Sequence, residues 1–150
     1  MSRIPAAVNR LENGHDTEPN DCAIVSIGCY LGIPYTDVIR TAARVVDHGG
    51  RNGLTLPVMR RIATLFDAPL ITKREFDPED SYGIVVALPR GGIPHASVVR
   101  SGLVLDRLTV WEWTDWLRHY IPARKRKDGR SVPWTAEWAA TRCLLLVVKE

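Results

Sequence analysis

Cys22 stands at the boundary between a polar, turn-prone stretch and an apolar stretch in TEPNDCAIVSIGCYLG, residues 17–32. A cysteine that serves only in packing is usually found inside an apolar run, as Cys29 is, so the position of Cys22 indicates reactivity. A thiol becomes a nucleophile as the thiolate, which is favoured by a helix N-terminus and by a neighbouring imidazolium. The sequence therefore predicts that Cys22 begins a helix and has a histidine beside it.

His95 is the best placed of the four histidines to be that neighbour. It follows the turn RGGIP and opens the predicted strand HASVVR, so we expect its side chain at one end of a sheet. The chain then returns through a tight Ser-Gly turn to the strand LVLD, which brings Asp106 back beside His95. A carboxylate in this position fixes the tautomer of an imidazole. The candidate catalytic residues are therefore Cys22, His95 and Asp106.

Three helices are predicted before any strand. The first begins at Cys22 and ends before Gly32, and the second and third are capped by Thr36 and Thr55. After Asp67 the pattern changes to short β-branched runs that are separated by turns, namely PLITKREF, GIVVALP, HASVVRSG and LVLD. These runs predict consecutive antiparallel strands, and CLLLVVKE at residues 143–150 predicts a last buried strand.

Helices first and strands afterwards, without alternation, indicate the α+β class, with N-terminal helices packed on an antiparallel β-sheet. The length of 150 residues and the hydrophobic content of 45% fit one domain over residues 1–150. Residues 1–20 are predicted to be an extended lead-in. Residues 107–142 hold a predicted tryptophan-rich helix, for which Thr109 and Glu112 form a capping-box pattern, and a basic loop; the role of both is unknown.

The sequence also limits compartment and partners. Three irregularly spaced cysteines indicate free thiols in a reducing compartment, and Cys29 and Cys143 lie in apolar runs that predict core positions. We find no signal peptide and no apolar run of the roughly 20 residues that cross a bilayer, so a cytoplasmic protein without a membrane partner is expected. The net charge of +3 does not by itself require nucleic acid.

The segments DCAIVSIGCYLG, NGLTLPVMRRIATLF and GIVVALPRGGIPHASVVRSGLVLD resemble the papain-like cysteine peptidase superfamily, in particular its compact C39-like peptidase group. The resemblance covers roughly residues 16–106, and the order of cysteine, histidine and aspartate agrees. It implies a papain-like fold and cleavage of a peptide bond through a thioester. It also implies the family's three catalytic roles for Cys22, His95 and Asp106, with no metal or organic cofactor.

One position departs from the family pattern. The family usually has a glutamine shortly before the cysteine, whose amide stabilises the oxyanion together with the cysteine's own backbone N–H; here that position is Asp16. A carboxylate repels an oxyanion, so a replacement donor is needed. Asn20 offers an amide two residues before the cysteine, and the oxyanion hole is therefore predicted from Asn20 and the N–H of Cys22. Asn20 and Asp21 are also candidate helix caps.

Each of these residues also has a purely structural explanation. Cys22 fits a small buried residue in a first helical turn, His95 a half-buried strand residue, and Asp106 a turn residue. The loop ARKRKDGR fits a solvated loop, a site for an acidic partner or, as a further alternative, a site for nucleic-acid phosphate. Its possible partner-binding residues are Arg124, Lys125, Arg126, Lys127 and Arg130.

The predicted function is a cysteine peptidase, or a related amidase or isopeptidase, that acts on a peptide or protein substrate. Acyl transfer of the transglutaminase type uses the same thioester chemistry, so the sequence does not separate it from hydrolysis. The alternative from another class is a catalytically inactive papain-like domain. Such a domain would bind a protein partner through the tryptophan-rich, basic C-terminal third of the chain.

Overall fold

A computed structural model describes residues 21–46, 54–89, 94–106, 109–123, 127–130 and 133–149. Within these ranges the chain forms five α-helices, which are α1 Cys22–Leu31, α2 Tyr35–Ala43, α3 Leu56–Leu65, α4 Trp113–Tyr120 and α5 Ala136–Ala140. It also forms one six-stranded sheet, which consists of β1 Leu70–Lys73, β2 Tyr82–Ala87, β3 His95–Arg100, β4 Leu103–Asp106, β5 Thr109–Glu112 and β6 Cys143–Val148. The α+β class is confirmed.

The ends of the first three helices follow local chemistry. Helix α1 begins at Cys22 as predicted and ends at Leu31, and its C-cap is Gly32, whose φ of 70° lies in the left-handed region that glycine adopts readily. The hydroxyl of Thr55 accepts a hydrogen bond from the N–H of Val58, which confirms Thr55 as the cap of α3. The prediction for α2 was two residues late, because the helix begins at Tyr35, with Pro34 at the N-cap position, and not after Thr36.

All strand pairs in the sheet are antiparallel, in the order β1-β6-β2-β3-β4-β5. The prediction that consecutive strands are neighbours is confirmed for β2, β3 and β4. It is wrong for β1 and β2, because β6 lies between them. The four residues that begin β6 are all buried, which suits a central strand with both faces covered, whereas β1 alternates in burial and lies at an edge.

Helices cover both faces of this sheet. The N-terminal helices α1, α2 and α3 pack on one face, as predicted, against side chains that include Ile84, Val86 and Val98. On the opposite face, Trp116 and Leu117 of α4 and Ala139 of α5 pack against alternate residues of the same strands, such as Val85, Val99 and Leu145. The central strands therefore bury apolar side chains on both faces.

The capping-box prediction for the tryptophan-rich helix was wrong. Thr109 and Glu112 are the two ends of strand β5, which pairs with β4, and the helix begins only at Trp113. Glu112 occupies the N-cap position of α4 but makes no side-chain cap hydrogen bond. Three of the four residues in TVWE are β-branched or aromatic, which suits a strand, and pairing with the edge of β4 overrides the local helix signal.

The predicted lead-in at residues 1–20 lies outside the described residues. Cys29 and Cys143 are both buried, which confirms their assignment to the core. In the part of the chain that the structure describes, no helix is both long enough and apolar enough to cross a membrane.

Candidate active site

The thiol of Cys22 lies at the first residue of α1, where this helix packs against β3. Its side chain is half-buried, and it is hydrogen-bonded to the side chain of His95 and to the backbone N–H of Ala96. The partial positive charge of the helix N-terminus acts on the same sulfur. Three independent features therefore favour the thiolate form of Cys22.

The imidazole of His95 is held by Asp106. Its Nε2 atom lies 2.9 Å from both carboxylate oxygens of Asp106, which leaves Nδ1 as the nitrogen that faces Cys22. The side chains of His95 and Asp106 are only 11% and 3% exposed. The imidazole therefore connects a half-buried thiol to a buried carboxylate.

The hairpin β3–β4 explains how Asp106 reaches His95. Its two turn residues, Ser101 and Gly102, have φ values of 50° and 79°, as a tight turn of type I′ requires. The turn fixes a register in which Val98 pairs with Leu105. One further step along this register brings Asp106 opposite Ser97, so that its carboxylate is a diagonal neighbour of His95 on the same face of the sheet.

Helix α4 supplies two further side chains to this site. The ring of Tyr120 is stacked on the imidazole of His95, with 4.0 Å between centroids and 7° between planes, and its hydroxyl is hydrogen-bonded to Asp106. The Nε1–H group of Trp116 lies 3.2 Å from Ser97 Oγ and 3.3 Å from Asp106 Oδ2. Sequence reasoning missed both contacts. The only available signal was the spacing of four residues between Trp116 and Tyr120, which puts them on one face of a helix.

Burial and hydrogen bonding act in opposite directions on the pKa values. Burial raises the pKa of Asp106, but hydrogen bonds from His95, Tyr120 and Trp116 outweigh it and hold the pKa below its ordinary value. Burial lowers the pKa of His95, yet its contacts with Asp106 and Cys22 raise the pKa to about 9. The imidazole is therefore protonated at neutral pH.

The same two effects give the thiols of Cys22 and Cys143 different pKa values. Burial raises the pKa of Cys22, but the hydrogen bond and the charge of His95, with the N–H of Ala96, bring the pKa below its ordinary value. Cys143 is buried without such partners, and burial raises its pKa to about 12. The arrangement therefore favours a thiolate at Cys22 and leaves Cys143 as an inert thiol.

The structure brings Cys22, His95 and Asp106 together as predicted. Asp16 and Asn20, on which the predicted oxyanion hole depends, lie outside the described residues. Asp21 occupies the N-cap position of α1, but its side chain makes no cap hydrogen bond and accepts one from Tyr35 Oη at 2.9 Å.

Three of the five predicted partner-binding residues, Arg124, Lys125 and Arg126, lie outside the described residues. Lys127 and Arg130 are exposed. Arg130 contacts Asp128 in the same loop, with 3.8 Å between Nε and Oδ2. In the described ranges, no group of three or more histidine, cysteine, aspartate or glutamate side chains is arranged to hold a metal ion.

No protein-family model, no curated protein and no solved structure matches this chain. A thiolate next to a protonated imidazole combines a nucleophile with a general acid, and a buried carboxylate holds the acid in place. These are the groups that acyl transfer from an amide requires.

Proposed function

We propose that this protein is a papain-like cysteine peptidase, or a related amidase or isopeptidase, that cleaves a peptide or protein substrate. The supporting observation is the connected arrangement of Cys22, His95 and Asp106. Cys22 is the first residue of a helix, and its thiol is hydrogen-bonded to one imidazole nitrogen of His95. The buried carboxylate of Asp106 lies 2.9 Å from the other nitrogen. The order of the three residues also agrees with the family that the sequence resembles.

The proposed reaction begins from the thiolate–imidazolium pair. The sulfur of Cys22 attacks the carbonyl carbon of the substrate, and the carbonyl π electrons move to oxygen and form a tetrahedral oxyanion. The oxyanion collapses to a thioester while His95 gives its proton to the departing amine nitrogen. Neutral His95 then takes a proton from water, whose oxygen attacks the thioester. The carboxylic acid product leaves, and Cys22 returns to the thiolate beside a protonated His95.

The backbone N–H of Cys22 is the first proposed donor to the oxyanion. Because Cys22 is the first residue of α1, its N–H has no carbonyl partner within the helix and is available to a ligand. The amide of Asn20 is the second proposed donor, in place of the family's glutamine. Loss of one such donor costs about 10² to 10³ in rate, so the Asn20→Ala variant tests this assignment directly.

The experiment that tests the proposed function is the pH dependence of the alkylation of Cys22 by iodoacetamide. Native wild-type protein and the His95→Ala variant are compared, and the modified residue is located by mass spectrometry. We expect wild-type Cys22 to react well below the ordinary thiol pKa of about 8.5 and to lose this advantage in His95→Ala. The buried thiols of Cys29 and Cys143 are internal controls that stay unmodified.

An ordinary titration of Cys22 in both proteins would refute the ion pair and favour a binding domain. If the ion pair is present, a peptide library is then incubated with wild type and with Cys22→Ala. Cleavage by wild type alone supports hydrolysis, and a product joined to an added amine supports acyl transfer. Equal cleavage by both proteins would show that Cys22 is not the nucleophile.

A further inference from the structure

Helix α4 has a contact with the site that the general scheme of thiol, imidazole and carboxylate does not require. Tyr120 lies flat against His95, with 4.0 Å between the ring centroids and 7° between the ring planes. One turn earlier on the same helix, Trp116 is fully buried and directs Nε1–H towards Asp106 and Ser97. One helix therefore contacts both the base and the carboxylate.

The stacked ring acts on the charge and on the orientation of the imidazole. The face of a tyrosine ring carries negative electrostatic potential, so a cation in contact with that face is stabilised relative to its neutral form. The nearly parallel planes also prevent the imidazole from tilting out of the plane that contains Asp106. Tyr120 therefore favours the imidazolium form and keeps Nδ1 directed at the sulfur of Cys22.

The polar groups of α4 act on the carboxylate. Asp106 is 4% exposed, and a buried carboxylate stays ionised only if hydrogen-bond donors replace the water that it has lost. His95 supplies one donor, and the Tyr120 hydroxyl and the Trp116 indole supply two more. With all three in place, the carboxylate is fixed in one orientation.

We propose that Tyr120 is the positioning residue of this site: its ring holds the imidazolium of His95, and its hydroxyl holds the carboxylate of Asp106. Trp116 assists as the second donor from α4. This inference rests on the proposed function, because it assigns a role within the same site. It also follows that α4 covers one face of the imidazole, so that a substrate approaches His95 from the side of Cys22.

The groups that titrate next to His95 come from three elements. They are Cys22 of α1, Asp106 of β4 and the phenol of Tyr120 itself. His119 of α4 makes a T-shaped contact with the Tyr120 ring, with 4.7 Å between centroids and 84° between planes. A His119→Gln variant therefore shows whether His119 contributes to the pH profile.

The test is the pH profile of Cys22 alkylation in full-length variants at position 120. Tyr120→Leu and Tyr120→Met remove both the aromatic face and the hydroxyl, whereas Tyr120→Phe removes the hydroxyl alone. We expect the first two to move the profile to higher pH and to lower the rate at pH 6 about tenfold. Tyr120→Phe keeps the stacking, and we expect a loss of roughly threefold.

The matched control is Tyr82→Phe, which removes a hydroxyl at the far end of β2, where Tyr82 Oη lies 3.3 Å from the carbonyl of Tyr30. Its profile is expected to coincide with that of wild type. Thermal unfolding of every variant shows whether it is folded. Both Tyr120→Leu and Tyr120→Met are made so that the test can still be carried out if one of them does not fold. If Trp116→Phe also lowers the rate at pH 6, the donor role of α4 gains separate support.

The outcomes separate this inference from the proposed function. An ordinary titration of Cys22 in wild type would refute the proposed function and, with it, this role of Tyr120. A low thiol pKa in wild type that stays unchanged in folded Tyr120→Leu or Tyr120→Met would overturn the positioning role alone. A graded loss, larger for leucine and methionine than for phenylalanine, is the result that supports it.

Discussion

The carboxylate of Asp106 is the most constrained group in the candidate site. Both of its oxygens lie 2.9 Å from Nε2 of His95, and it accepts further hydrogen bonds from Trp116 and Tyr120. Because these donors favour the charged form, the pKa of Asp106 stays below its ordinary value despite burial. The carboxylate therefore remains an anion over the whole range in which His95 titrates.

Replacement of Asp106 by asparagine is expected to weaken the ion pair between Cys22 and His95. The amide keeps the shape of the carboxylate but removes its charge, so the imidazolium loses its counter-ion. We expect alkylation of Cys22 at pH 6 to slow by at least about tenfold, and hydrolysis of any substrate to fall by roughly 10² to 10⁴. The measurement is the pH profile of alkylation, followed by single-turnover cleavage of a substrate.

The matched control is Asp128→Asn, which makes the same chemical change in an exposed loop where Asp128 contacts Arg130. An exposed ion pair of this kind has a weak electrostatic interaction, so the pH profile of Cys22 alkylation should not move. Equal effects of the two substitutions would mean that Asp106 acts only through the net charge of the protein.

The positions of Cys22, His95 and Asp106 were predictable because local signals mark each of them. A polar stretch precedes Cys22, a glycine-proline turn precedes His95, and a two-residue turn fixes the register of Asp106. The contacts of Tyr120 were not predictable in this way. They depend on α4 crossing the face of the sheet opposite α1, and no local pattern determines which face a helix covers.

At the scale of elements, the hairpin β3–β4 determines the distance between base and carboxylate. Gly102 has a φ of 79°, and its N–H donates a hydrogen bond to the carbonyl of Pro78. A Cβ atom built on Gly102 would meet the side-chain carboxylate of Glu79. This turn is therefore restricted both by its own backbone and by the short 3₁₀ turn at Pro78–Asp80.

The Gly102→Ala substitution is expected to lower the free energy of unfolding by about 1 to 2 kcal/mol, because an L-residue is strained at this φ. Displacement of the Glu79 side chain adds to the loss. The matched control is Gly32→Ala, where φ is 70° but a Cβ atom would meet nothing within 4 Å. Urea unfolding of both variants measures the difference. Equal losses would show that the contact with Glu79 contributes nothing.

Two elements show where sequence patterns stop being informative. The capping-box pattern at Thr109 and Glu112 was outweighed by the open edge of β4, to which residues 109–112 add as strand β5. The position of β6 between β1 and β2 was also not predictable, because an apolar strand identifies a central place in a sheet but not its neighbours. Both errors concern partners that are distant in the sequence or that compete with a local signal.

At the scale of the whole molecule, the His95–Asp106 pair links stability to pH. In wild type above pH 6.5, wherever folded Cys22 is a thiolate and folded His95 is protonated, folding transfers one proton from Cys22 to His95, so the two effects on stability offset each other. The Cys22→Ala variant removes this compensation. In that variant the folded chain retains a proton on His95 that the unfolded chain releases above pH 6.5.

We therefore expect Cys22→Ala to have the full stabilisation of the pair below pH 6.5 and to lose it as the pH rises. The slope in this window is about 1.4 kcal/mol per pH unit. The loss ends below the value of about 9 found in wild type, because Cys22 contributes to that value. Urea unfolding from pH 5.5 to 9.5 is the measurement.

Cys22→Ala combined with His95→Gln is the control, because it lacks the titrating group. Its stability should not show the added fall above pH 6.5. Parallel curves for the two proteins would contradict a raised pKa of His95 in the folded state.

The central place of β6 has a consequence for synthesis on the ribosome. Strands β1 and β2 emerge first and do not pair with each other, so the middle of the sheet closes only after residues 143–148 have left the exit tunnel. Strands β2, β3 and β4 pair with one another in sequence order, so this segment, which carries His95 and Asp106, forms earlier. Until β6 arrives, the apolar edge of β2 is open to strands of other nascent chains. The last strand thus determines when the nascent chain is protected from aggregation.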